Sequence, residues 1–288
     1  MGWHLPYRPL DTALKFQVSV QTESTFNGDN SGANIRYGLQ LRPAPKQGWG
    51  DYCLEVQQTD TRYHTGKINP ADDVILRLAA PWKKLELLLD KNGNPYNIRN
   101  HVEIWQLWNE DVRIAVQATY KGQWVDEMVR KTDDLILHPD QLLKTILTKD
   151  QVLANYFNDV YKRVFDFRTQ HSAPATSMQH VMGENFVPLQ EVWQYRKTPA
   201  GGHVDAEGFL PETADMTSVK SVKEWLQRKT GTVITEQLEV KRAANYEISQ
   251  QTGWYNAFNT ISIMRLGNVW QKRTTIQLSP EKMNSNGR

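Results

Sequence analysis

The sequence predicts an α+β fold, with antiparallel β-sheet regions flanking a central block of about four helices. Three observations predict it. Residues 14–98 alternate apolar and polar positions, residues 100–167 repeat apolar positions at helical spacing, and residues 234–278 return to alternation. The 288 residues approach the upper size for one hydrophobic core. The expectation is a single domain over 1–288 that can also be read as intimate halves. These are a β meander over 1–98, a helical block over 99–168, and a second β region with one helix over 188–278.

Leu14, Phe16, Val18 and Val20 open the meander, followed by Ile35, Tyr37, Leu39 and Leu41, then Tyr52, Leu54 and Val56. Each run alternates with polar partners, the pattern of a strand with one wet face. Turn residues join them at 27–32 and 43–48. Leu85–Leu89 and Tyr96–Ile98 flank Asn92-Gly93, a strong hairpin signal. Asn100 with Glu103 reads as a capping box for a first helix carrying Val102, Trp105, Trp108, Val112, Ala115 and Val116 inward. A second helix holds Val125, Met128, Val129 and Ile136, and a third starts at Pro139 with Leu142, Leu143, Ile146 and Leu147. Thr148 and Gln151 form another capping box, before a fourth apolar stripe from Val152 to Phe165. Trp105, Trp108, Phe157 and Tyr161 are therefore expected in the interior.

Residues 171–187 read as a polar loop, 189–196 as a strand, and 199–203 as a turn. Residues 217–229 form a helix with Val219, Val222, Trp225 and Leu226 inward and Gly231 past its end. Strands follow at 234–240, 246–248, 254–264 and 269–278, with a tight turn at Gly267-Asn268 and a frayed tail after 279.

Thirty-four basic against 32 acidic residues leave a net charge of +2, which gives no electrostatic reason to expect nucleic acid. Cys53 is the only cysteine, so an internal disulfide and a cysteine-built metal site are excluded; it reads as a packed thiol. No apolar run reaches membrane-span length, and the residues after Met1 lack a signal-peptide pattern. The expected setting is the bacterial cytoplasm; the mature form of an exported protein is the alternative.

No phosphate loop, dinucleotide fingerprint or nucleophile elbow is present, and no His-Glu-x-x-His. His171, His180 and Glu184 flank one loop but stand at no ligand spacing, so no metal and no cofactor are expected. His203 and Asp205 stand two apart, on one face if their segment is a strand, and are the nearest approach to a catalytic pair. The adjacent pairs Asp72-Asp73, Asp133-Asp134 and Glu110-Asp111 point apart and read as solvated charge.

Ten tryptophans stand out. Core packing is the first explanation; the alternative is that several of them line a cleft or interface. Trp193 with Tyr195 and Trp254 with Tyr255 are the candidate contact residues, because they lie outside the helical block at adjacent or alternating positions. The element order resembles that of curved-sheet carriers of acyl chains such as bacterial lipoprotein carriers, a likeness of order that assigns no residue. The sequence favours a non-enzymatic binding or assembly protein that holds a protein partner through an aromatic-rich surface. The alternatives are a carrier of an apolar small ligand, in a cavity between sheet and helices, and an enzyme with its site near His203 and Asp205.

Overall fold

The computed structural model describes residues 2–45, 52–63, 70–172, 174–182, 185–211, 216–231 and 233–281. In chain order they form β1 (Gly2–Trp3), β2 (Leu14–Phe26), β3 (Asp29–Pro43), β4 (Tyr52–Tyr63), α1 (Pro70–Leu78), β5 (Lys84–Leu89) and β6 (Pro95–Ile98). There follow α2 (His101–Leu107), α3 (Arg113–Thr119), α4 (Gln123–Ile136), α5 (Pro139–Lys149), α6 (Gln151–Tyr156) and β7 (Phe165–Asp166). The remainder is β8 (Ala175–Met182), β9 (Asn185–Thr198), β10 (Gly201–Phe209), α7 (Met216–Thr230), β11 (Leu238–Ser249), β12 (Tyr255–Leu266) and β13 (Trp270–Pro280). This is an α+β chain with a large antiparallel sheet. It divides into two compact units: unit 1 holds Met1–Pro6, Ser19–Ile35 and Val160–Ser279, and unit 2 holds Tyr7–Val18, Arg36–Asp159 and Pro280–Arg288.

In unit 2 the strand order is β6–β5–β4–β3–β2. β4 departs from the one-wet-face expectation, because Cys53, Leu54, Glu55 and Val56 are all buried. Glu55 survives there through Arg42 at 2.6 Å and Lys84 at 3.4 Å. Burial pushes its carboxyl up, but the two cations outweigh that and hold it below the usual range. At the β5–β6 turn, Asp90 Oδ1 accepts from the Asn92 and Asn94 amides.

Four expectations for the helical block change. Asn100 caps nothing with its side chain; it accepts from the Glu86 amide and donates to the Lys84 carbonyl, tying the helix start to β5. A π turn over Trp108–Val112 joins α2 to α3. Ile104, Trp108 and Val116 are buried, at multiples of four carried past Trp108 by the π turn, while Val102 and Trp105 are exposed, Trp105 by 44%. The cap of α6 is Asp150, accepting from the Val152 and Leu153 amides, whereas the Thr148 hydroxyl donates to Lys144. α6 ends at Tyr156, and only a 3₁₀ turn over Val160–Lys162 follows before β7; Phe157 and Tyr161 are half-buried. The helix α1 was not foreseen. Its Asp73 is not merely solvated: it accepts from the Tyr120 hydroxyl and pairs with Arg77.

In unit 1 the order is β3–β2–β13–β12–β11–β10–β9–β8, and β1 pairs β7 separately. The expected loop at 171–187 is instead β8 and the start of β9. Only Pro199-Ala200 turn the chain, while Gly201, Gly202 and His203 already belong to β10. Gly201 takes φ +143°, and a Cβ there would meet the Ile248 carbonyl at 2.0 Å. The strand expected from residue 234 begins at Leu238 and continues unbroken to Ser249. Its alternate residues Leu238, Val240, Arg242, Ala244, Tyr246 and Ile248 face inward. α7 lays Val222 and Leu226 on Leu189, Leu238, Leu266 and Trp270, giving this end of unit 1 an apolar core. The expected turn at 43–48 and the chain after 281 lie in part outside the described residues.

Candidate functional site

β10 stops short of its neighbour. Phe209 is its last residue, in register with Lys241, whereas β11 runs on to Leu238. The Leu210 amide makes one more bond to the Val240 carbonyl, and Pro211, with no N–H to offer, takes the chain away. Beside this early end lies a cleft of about 670 Å³. Its apolar lining is Phe209, Leu210, Pro211, Val219, Leu238 and Val240. Leu238 and Val240 are fully packed from behind, while the Phe209 ring is 46% exposed. Lys223, Gln237, Glu239 and Lys241 complete the wall. Glu239 stands opposite Arg265 on β12, whose guanidinium donates to the Gly267 carbonyl and to Asn268. Lys241 stands between Phe209 and Ile263 and has no charged neighbour across either ladder.

The four predicted contact residues all fall in unit 1, but three are interior. Trp193, Trp254 and Tyr255 are buried and Tyr195 is half-buried, so they do not form an aromatic surface. Trp193 stacks on Tyr246 at 5.4 Å, and Tyr246 leans on Tyr255 at 4.9 Å. Arg163 lies over the Trp193 ring at 4.1 Å. The same interior holds an ion pair: Arg242 reaches Glu191 at 2.5 Å and the Tyr246 hydroxyl at 2.6 Å. Burial alone would lower the Arg242 pKa, but Tyr246 and Glu191 together raise it, so its charge is secured. Gly208 stands between the pair on β10; a Cβ there would lie 3.1 Å from Glu191 Cγ and 3.4 Å from Arg242 Cβ. None of this polarity was legible beforehand, since Glu191 and Arg242 sit 51 residues apart.

His203 and Asp205 do meet. His203 Nε2 is 3.0 Å from Asp205 Oδ1, on the outward face of β10. Asn245 donates to the same oxygen, and Arg196 binds the other. Burial pushes the Asp205 carboxyl up, but Asn245, His203 and Arg196 outweigh it and hold it below its ordinary value. His203 also edges a cleft of about 240 Å³ with Glu247, Thr198 and Ser249. The Ser249 hydroxyl is occupied as an acceptor from the Gln251 and Thr252 amides. The arrangement holds an imidazole in place at the edge of the cleft.

Cys53 is buried, and burial pushes its thiol pKa up. The set His171, His180 and Glu184 falls partly outside the described residues: Glu184 is not described, nor is the His180 side chain. Among the described residues no three His, Cys, Asp or Glu side chains come together as a metal site. No helix of the described residues is long and apolar enough to cross a membrane.

No family model and no curated protein matches the chain. Among solved structures, one described as "lipid-protein interactions in lipovitellin" aligns with 98% of this chain at 10% identity and a TM-score of 0.48. This chain spans 26%, about a quarter, of that one.

Proposed function

We propose that the chain is a non-enzymatic binding protein that carries an apolar small ligand in the cleft beside the end of β10. The observation that carries this reading is the cleft itself. Its volume of about 670 Å³ falls within the ~300–1,000 Å³ typical of small-molecule sites, and its walls are mainly apolar with a few polar groups. The cavity lies against α7, not against the central helical block. The buried rings around Trp193 and Trp254 serve as its scaffold, because aromatic packing and the Glu191–Arg242 pair stiffen the strands that end at the cleft. The reading is tested by filling the space. Val219→Trp should weaken uptake of an environment-sensitive apolar dye by about tenfold or more, with an unchanged circular dichroism spectrum. Equal uptake by the variant, or no uptake by the unmodified protein, removes the carrier reading.

A second reading, capture of a protein partner, is favoured by the helices of unit 2. Val102, Trp105, Leu107, Ile114, Trp124 and Leu137 are all exposed there. Apolar side chains of this size left in water are the material from which interface anchors are made. Trp105→Ala with Trp124→Ala should then abolish co-purification of a partner and leave dye uptake untouched.

A further inference from the structure

We propose that the cleft takes a single-chain amphiphile with a carboxylate head, the head held by Lys223 and Lys241. This rests on the carrier reading and adds the polarity of the ligand. Three features carry it. The first is the separation of character in the lining: Leu210, Val219, Leu238 and Val240 offer a continuous aliphatic wall for a hydrocarbon tail, while the charged groups enter from α7 and from the outward face of β11. The second is the balance of those charges. Lys220, on the same helix, is paired with Glu224 at 3.7 Å, but neither Lys223 nor Lys241 forms an ion pair among the described residues. Glu239 is the one acidic residue in the lining, against the two lysines. Among the described lining residues the net charge is therefore positive. The third is the position of Lys223, one helical turn after Val219 and half-buried, so its methylene stem lies along the apolar wall with the ammonium beyond it. An anionic head finds cations there; a cationic head finds like charge. A bulky two-chain lipid has no second apolar channel among these lining residues.

Binding of three probes of one chain length, a saturated fatty acid, its alcohol and its amine, each below its micelle concentration, tests this. The unmodified protein should bind the acid about fivefold tighter than the alcohol, and the amine more weakly than either. The preference should shrink as salt is raised, because the lysine heads reach solvent. Lys223→Gln with Lys241→Gln should bring acid and alcohol to equal affinity without weakening the alcohol, and Val219→Trp should weaken all three. Equal affinity for acid and alcohol in the unmodified protein overturns the head-group assignment and leaves the carrier reading standing. A preference that persists in the double lysine variant also overturns it. Failure of all three probes to bind overturns both.

Discussion

The sheet of unit 1 and the helices of unit 2 use the same large residue in opposite ways. On β9, Trp193 is enclosed by Tyr246 and Arg163 and lies beside a buried ion pair. In the helices, Trp108 is equally buried, yet Trp105, three residues before it, stands in solvent. The difference lies in what fixes each face. A paired strand has two faces, and its ladders on both sides determine which residues turn inward. A helix has a stripe whose phase depends on every residue along it, and here the buried positions Ile104, Trp108 and Val116 fall at multiples of four, carried past Trp108 by the π turn at Trp108–Val112. Ring content alone therefore says little about where an aromatic contact surface lies.

That comparison breaks most readily at the buried pair. Arg242→Met should destabilise the protein by about 3–5 kcal/mol in chemical denaturation, because Glu191 would be left buried without its closest cation. Pairing it with Glu191→Gln should recover part of the loss. A single-variant cost below about 1 kcal/mol would mean that Arg163, 3.5 Å from Glu191, compensates the carboxylate without Arg242. The helices offer the next test. Trp108→Ala removes a buried ring and the indole bond to Asp133 at 2.8 Å, and should cost about 3–5 kcal/mol. Trp105→Ala should cost under about 1 kcal/mol. Similar costs for the two would show that the buried face is not the one through Ile104, Trp108 and Val116.

The smallest effect concerns pH. Asp205 has a lowered folded pKa, so its stabilising contribution is present above the ordinary carboxylate range and lost as pH falls through the folded value. Between neutral pH and about 3, the unmodified protein should lose more stability than Asp205→Asn, measured as the shift in denaturation midpoint. Parallel profiles would show that the ladder of Arg196, His203 and Asn245 holds Asp205 no better than water does.

Alternation exposed most strands to sequence reading because each carries its pattern within a few residues. The 238–249 strand shows why a reading from propensity fragments it: Lys241, Arg242 and Asn245 interrupt the apolar run, and only pairing with β10 and β12 makes one strand of it. The 171–187 segment fails similarly, since its strand character comes from β9 rather than from its own composition. The helices were legible in approximate place but not in number, since about four were expected and α2 to α6 make five between His101 and Tyr156; π-turn phase and the cap at Asp150 depend on which residues the stripe must meet. Of the candidate site, Val219 was legible as an inward helix residue and His203 with Asp205 as neighbours. The cleft itself was not, because it arises from one strand ending before the next, a relation between segments far apart in sequence.

Gly208 carries a consequence for relatives of this chain. Its bare α-carbon leaves space between Glu191 and Arg242, each of which sits opposite it on a flanking strand. In a homologue with a side chain at this position, the Glu191 and Arg242 side chains would have to give by a few tenths of an ångström, which presses on the clasp. Positions 191, 208 and 242 should accordingly be inherited as a unit, so that an alignment shows them changing in concert or not at all.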